Sequence, residues 1–377
     1  MLIIPFILIL TSLSPIASVF SCVFISLFFP NIKNKGWILF VLFILSFNLS
    51  VIYSSKCFYD GSSDFGIYYT FYQNILSKKS EGLIHLLLTD VYHFEPLYCI
   101  FNVIIAFIFG RLTEVQYSIL LNFISIYSIC ISTLIYSSKF TINNFLFLII
   151  FSIFISKIGS ITLFWRQSLA TVFVILFLQK KNLKKYIYLT IATGFHMSSL
   201  YVGPLCYFIL NFNLKRNKLI YVILIVTAII WPIFGKNILL HIVNIVGISE
   251  NSFFVNNYDY PYFLDTLKTI YFSIPIIIFY KLQKLNAQKD PIYYLLVLEV
   301  LILLAFGTIP HFFRIIYPIA VVIIYLHTVL VLIKLNKYFF ILSFLFILVS
   351  NFFRFTSDKF LLQFPQYSLA PFYYFKI

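Results

Sequence analysis

Apolar runs long enough to cross about 30 Å of hydrocarbon recur from one end of the chain to the other, parted by short polar segments. They predict spans over residues 2–29, 37–54, 117–136, 144–158, 163–179, 219–235, 264–280, 291–309, 315–333 and 338–353. Residues 186–212 lie between two basic loops and must go out and return. That length suits a tight hairpin of two short helices, with Gly194-Phe195-His196 near its outer tip and a break at Gly194. The total is about 12 transmembrane helices. Lysine-rich loops mark the inner side, most clearly Lys180-Lys181-Asn182-Leu183-Lys184-Lys185. Counting back from that loop leaves Arg111 to Gln116 outside, on the side of residues 55–94. The apolar segment 95–110 therefore does not cross and is expected as a re-entrant or interfacial outer helix, with Pro96 suited to its first turn. Both termini are expected outside. The first span lacks the basic flank and cleavage site of a signal peptide and is read as retained.

Composition agrees with this pattern. The chain is 62% hydrophobic and 10% charged, with a mean hydropathy of +0.99, far from the balance of a water-soluble domain. The expected fold class is all-α: one multi-pass membrane domain over residues 1–377, with outer loops at 55–116 and 236–262. The second loop is expected to hold an amphipathic piece from Ile238 to Val246. A formal net charge of +15 could suggest nucleic acid, but the lysines sit in short loops between spans, as topology requires. No nucleic-acid partner is expected. The five cysteines show no paired spacing, so neither a disulfide framework nor a zinc site is expected.

Charge type changes the picture further. Of the five arginines, Arg111, Arg166, Arg216, Arg314 and Arg354, only Arg216 falls inside. Arginine binds phosphate and carboxylate through a planar fork that lysine lacks. Two polar islands interrupt the apolar sequence, Phe164-Trp165-Arg166-Gln167-Ser168-Leu169-Ala170 and Gly194-Phe195-His196-Met197-Ser198-Ser199. On this topology Asp64, Glu95, Arg166, His196 and Arg314 share the outer boundary. Ionisable groups at such depth are functional candidates. Taken singly, Arg166 could be a snorkelling arginine and His196 a packing histidine. The arginines suit a diphosphate on a lipid carrier, and a carboxylate or imidazole could take a proton from an attacking hydroxyl. Tyr68, Tyr69, Tyr72, Tyr92 and Tyr98 offer flat faces and hydroxyls for sugars, or belong to the interfacial aromatic belt. The sequence holds no DxD, HExxH, GxSxG or phosphate-loop pattern, so no metal and no cofactor is expected.

The motifs resemble those of the EpsG/Wzy-like bacterial polysaccharide polymerases. Asp64-Phe65-Gly66-Ile67-Tyr68 is similar to D-x-x-x-Y, and Glu95-Pro96-Leu97-Tyr98 to E-P-x-[FY]. Arg166-Gln167-Ser168-Leu169-Ala170 resembles R-Q-x-[LI]-A, and Phe195-His196-Met197-Ser198-Ser199-Leu200 resembles F-H-x-S-[SA]-L. Arg314 with Tyr317 resembles a later R-x-x-Y. The segment Tyr59-Asp60-Gly61-Ser62-Ser63 departs from the family, which often carries an arginine there. The resemblance implies a fold like that of lipid-carrier-dependent (GT-C-like) membrane glycosyltransferases. It implies an enzyme of the bacterial plasma membrane that joins undecaprenyl-diphosphate-linked oligosaccharide repeats at the outer face, for capsule, O-antigen or exopolysaccharide. Asp64, Glu95, Arg166, His196 and Arg314 would be catalytic, and Tyr68, Gln167 and Tyr317 would bind substrate. A flippase and a chain-length regulator would be partners. Two rivals stand beside this. An O-antigen ligase or polyprenyl-phosphate-sugar glycosyltransferase would share the arginines, but a ligase favours a larger outer loop. A transporter of the same glycan would need a charged central cavity and an internal repeat. Glu299 is almost the only charge in mid-span, read as capped or paired within the bundle or else structural near the cavity, and no repeat is present.

Overall fold

Serine, proline and asparagine punctuate the apolar sequence and set where its helices begin. The computed structural model describes residues 14–29, 34–57, 65–78, 80, 82, 95–140, 144–156, 158–179, 182–211, 218–246, 262–283, 290–307 and 322–357. Among them the secondary structure is helical, with no strand. Contacts divide the chain into two compact units, Met1–Gly203 with Ser350–Ile377, and Pro204–Val349.

The first unit contains α1 (Pro15–Phe28), α2 (Lys35–Cys57), α3 (Phe65–Ser77), α4 (Pro96–Phe109), α5 (Glu114–Ser137), α6 (Phe145–Ile155), α7 (Ile158–Leu163), α8 (Trp165–Gln179), α9 (Lys185–Phe195) and the start of α10 (Ser199–Asn211). Ser14 caps α1, with Pro15 in its first turn. Thr113 and Gln116 form a reciprocal capping box on α5. Lys35–Ser54 and Glu114–Ser137 are each long and apolar enough to cross a membrane unaided. Shorter apolar helices include α1, α4 and α6. α2 packs on α1 and α5, and α8 on α5 and α9. Small polar side chains bind this interior: Asn48 Nδ2 donates to Ser18 Oγ at 3.0 Å and Asn122 Nδ2 to Ser54 Oγ at 2.9 Å. Such residues let apolar helices associate where lipid supplies no hydrophobic drive.

Segment 95–110 forms α4, whose 14 residues rise about 21 Å, less than the hydrocarbon thickness. The stretch expected as an outer loop also holds α3. Tyr68, Tyr72 and Ile75 fall on one face of α3 and are 6%, 0% and 1% exposed. Gly110 then ends α4 at φ +65°, a conformation open to glycine, and its carbonyl accepts from the Tyr72 hydroxyl. The two short helices expected over 186–212 are present as α9 and α10, but the break between them is not at Gly194. That glycine lies inside α9, and the helix stops at His196, whose backbone is extended at φ −156°.

The second unit contains the rest of α10, α11 (Lys218–Val246), α12 (Tyr262–Ile270), α13 (Ser273–Gln283), α14 (Pro291–Phe306), α15 (Val322–Leu332) and most of α16 (Lys337–Ser357). Two boundaries differ from expectation. Ile238 to Val246 continue α11 as a single helix of 29 residues, through Pro232 and Gly235. Apolar helices tolerate such interruptions better than soluble ones. The single span expected over 264–280 is broken at Tyr271–Phe272. Pro275 explains the break: it has no N–H for the carbonyl four residues back and its ring crowds that carbonyl. Asp290 caps α14 through Ile292 N at 3.0 Å and also accepts from Tyr280 Oη at 2.6 Å and Lys334 Nζ at 2.7 Å. Glu299 is paired, as expected: its two oxygens lie 2.8 and 3.0 Å from Nδ1 of the fully buried His327.

Candidate functional site: a carboxylate shared by an arginine and a histidine

Pro96 fixes the first turn of α4 and leaves Glu95 at its N-cap position, where the helix dipole favours a negative charge. The Glu95 side chain does not cap its own helix. It is 8% exposed and reaches two neighbouring elements. Oε2 accepts from Arg166 Nη1 at 2.5 Å, and Oε1 accepts from His196 Nδ1. Burial works to raise the Glu95 carboxyl. The His196 hydrogen bond and charge, followed by Arg166, outweigh it and hold the group below its ordinary value.

Arg166 is set by the start of α8. Trp165 is 1% exposed, and its indole N–H donates to Asn122 Oδ1 at 2.6 Å. Ser168 Oγ donates to the Ile161 carbonyl at 2.7 Å, fixing the same turn to α7. Arg166 then extends over Tyr68, with its guanidinium carbon 5.3 Å from the ring centroid and Nε donating to the Tyr68 hydroxyl at 3.0 Å. Nη1 is on Glu95, while Nη2 has no protein acceptor among the described residues. The side chain is 32% exposed, and a guanidinium fork suits an anion as well as a carboxylate.

His196 is held by the end of α9. Its backbone N–H closes the last turn on Ala192 O at 2.9 Å. Phe195 stacks on Phe173 of α8, with centroids 5.6 Å apart, and meets the edge of Phe101 of α4. Gly194 is the close approach that makes this possible. A Cβ there would lie 2.7 Å from two carbons of the Leu97 side chain. Gly194→Ala is therefore expected to push α9 off α4 and stretch the His196–Glu95 bond. Activity should fall about 10-fold, the factor for roughly 1.4 kcal/mol, at unchanged membrane abundance. Unaltered activity of that variant would show that the close approach does not set the site.

The ring nitrogens of His196 differ in their neighbours. Nδ1 faces the carboxylate, and Nε2 lies 2.9 Å from Gln167 Nε2. An amide nitrogen donates, so Nε2 accepts and Nδ1 carries the hydrogen. A carboxylate that orients an imidazole through Nδ1–H and leaves Nε2 as an acceptor is the arrangement of a general base.

Five of the expected site residues thus meet in one cluster: Glu95, Arg166 and His196, with Gln167 and Tyr68 directly attached. Asp64, Arg314 and Tyr317 lie outside the described residues. Of the tyrosines read as facing sugars, Tyr92 lies outside the described residues and Tyr69 is half-buried. Tyr68 is 6% exposed and works from beneath Arg166, and Tyr72 and Tyr98 are buried. Sequence reasoning missed the support below the site. Tyr72 stacks on Tyr117 at 4.5 Å, Tyr117 donates to Asn102, and Asn122 holds Trp165. The one signal was asparagine within apolar runs.

A strongly apolar chain, helical throughout its described residues, defines a membrane protein, and its carboxylate–guanidinium–imidazole cluster can hold an anion and move a proton. The sequence profile of the EpsG family matches residues 42–369, and the chain belongs to that family. The family is associated with glycosyltransferase-like polysaccharide polymerases. No curated protein and no solved structure gives a significant match.

Proposed function

We propose that this protein joins lipid-linked oligosaccharide repeat units, carried on undecaprenyl diphosphate, into a surface polysaccharide at the outer face of the bacterial plasma membrane. The observation that carries this reading is the tie of Glu95 to both Arg166 and His196, in a chain of the EpsG family. On this reading the chain spans the membrane about 12 times, the cluster faces the outer boundary, and Asp64, Arg314 and Tyr317 serve the same reaction.

The reaction follows from the groups available. The terminal hydroxyl of one repeat gives its proton to His196 Nε2. Its oxygen bonds to the anomeric carbon of the other glycan, and the bond from that carbon to the diphosphate breaks. The electron pair leaves with the lipid diphosphate. Arg166 meets the growing negative charge with the unoccupied side of its fork, in a site where water is scarce. Glu95 keeps the imidazole in its Nδ1–H form and stabilises the imidazolium that results. Tyr68 holds Arg166 flat and in place.

The test is a pair of variants, His196→Gln and His196→Ala. Glutamine keeps a hydrogen-bonding group but does not titrate. Both should lose at least ~100-fold in polymerisation, the lower end of what a positioned base contributes, with normal membrane insertion. An active His196→Gln beside an inactive His196→Ala would mean that His196 only donates or orients, and that the base is a carboxylate.

A further inference from the structure

We propose that Gln167 is a positioning residue that decides which nitrogen of His196 carries the proton and then follows the imidazole through its change of charge. This rests on His196 acting as the base described above. Three observations carry it. Gln167 Nε2 lies 2.9 Å from His196 Nε2, so the amide donates and Nε2 is obliged to accept. Nδ1 must then hold the hydrogen that Glu95 accepts. The other end of the same amide, Gln167 Oε1, is buried and has no hydrogen-bond partner among the described residues. An unsatisfied buried acceptor calls for an explanation. Finally, the backbone of Gln167 is fixed, since its carbonyl accepts from Thr171 Oγ1 at 2.8 Å and the next residue is tied to Ile161. Only the side-chain torsions are left to move.

A half-turn about the last torsion exchanges the amide nitrogen and oxygen. In the neutral state the N–H faces the Nε2 lone pair. When Nε2 gains a proton, two donors would face each other. The half-turn brings the orphan Oε1 onto the new Nε2–H and satisfies it. The other charged and titratable neighbours do not supply this acceptor. Glu95, at the start of α4, is bound to Nδ1, Arg166 of α8 carries only donors, and Tyr68 of α3 faces Arg166. During the reaction the acceptor hydroxyl takes the place of the amide N–H at Nε2. Its proton passes to Nε2, its oxygen bonds to the anomeric carbon, and the lipid diphosphate leaves with the electron pair. The rotated amide then holds the imidazolium until the proton is released to water.

The full-length chain in lipid nanodiscs, labelled with nitrogen-15 at its six histidines, tests this without any glycan substrate. His196 is assigned from the signal that His196→Gln removes. At about pH 8, above the ordinary imidazole range, the wild-type signal should show a protonated Nδ1 and a bare Nε2. Gln167→Glu offers only acceptors, so it should show a protonated Nε2 at the same pH. Gln167→Met offers neither and leaves Glu95 alone to hold Nδ1–H, so an Nε2–H form should appear as a minor population. A wild-type imidazole protonated at Nε2 alone would overturn the proposal, whatever the variants at position 167 do. A bare Nε2 in folded Gln167→Glu would overturn it equally. The outcome separates from that of the base assignment. If the tautomers follow residue 167 while His196→Gln still polymerises, the positioning role stands and the base falls. If they ignore residue 167 while His196→Gln is inactive, only the role of Gln167 falls.

Discussion

Glu95→Ala should lower polymer formation by at least ~100-fold. Removing one partner from a buried charge pair costs about 3–5 kcal/mol. Arg166 is about one-third exposed, so solvent screening reduces its share. Even ~2.7 kcal/mol gives two decades in rate. The loss has two sources. Arg166 is freed from the position that presents its open edge, and His196 loses the acceptor that fixes Nδ1–H. Glu95→Gln keeps the shape and one acceptor but no charge, and should lie between. The pH dependence has a defined sign. Glu95 is held below its ordinary value of 4.5, so its stabilising contribution is complete above that value. It is lost as pH falls through the lowered value, and Glu95→Gln should remove this acid sensitivity. Thermal unfolding of the detergent-purified protein against pH reads it. Activity of Glu95→Ala within twofold of wild type would remove the carboxylate from the site.

Arg166→Ala should cost about 100- to 1,000-fold in rate, the usual effect of deleting a charge-stabilising donor at a reacting centre. Arg166→Lys should still lose at least ~10-fold, or about 1.4 kcal/mol of transition-state stabilisation. A lysine keeps the charge, but one ammonium cannot hold Glu95, lie over Tyr68 and offer a further pair of donors in one plane. The discriminating comparison is polymer yield at matched membrane abundance. Full activity of Arg166→Lys would make Arg166 an interfacial anchor, the snorkelling role that its sequence position also allows.

The helical, apolar class was plain from the recurrence of long apolar runs, and the meeting of Glu95, Arg166 and His196 from their three short motifs. What the motifs could not give was the order of contact. Glu95 was one of several outer carboxylates, and only the fold makes it the hub. Tyr68, Tyr72 and Ile75 carried a helical period that was legible, but tyrosine content drew the reading towards sugar contact. The helix buries them, and Tyr68 serves Arg166 instead. From the sequence, Gly194 reads as a break near the tip of the hairpin. In the fold it is the place where α9 meets Leu97, a long-range fact that no local pattern encodes. Asn122 and His327 stood alone in apolar runs, and each alone only marks a polar group in need of a partner. Their partners, Trp165 and Glu299, lie on other helices.

Polymer formation by the purified chain tests the central claim most directly. The wild-type protein in nanodiscs is given lipid-diphosphate-linked repeat units from the same cell, and both chain growth and release of lipid diphosphate are followed. The account predicts that the two rise together, one lipid diphosphate for each bond formed, and that Arg166→Ala, Glu95→Ala and His196→Ala each lower both by at least ~100-fold. Polymer made at the wild-type rate by all three variants would contradict it.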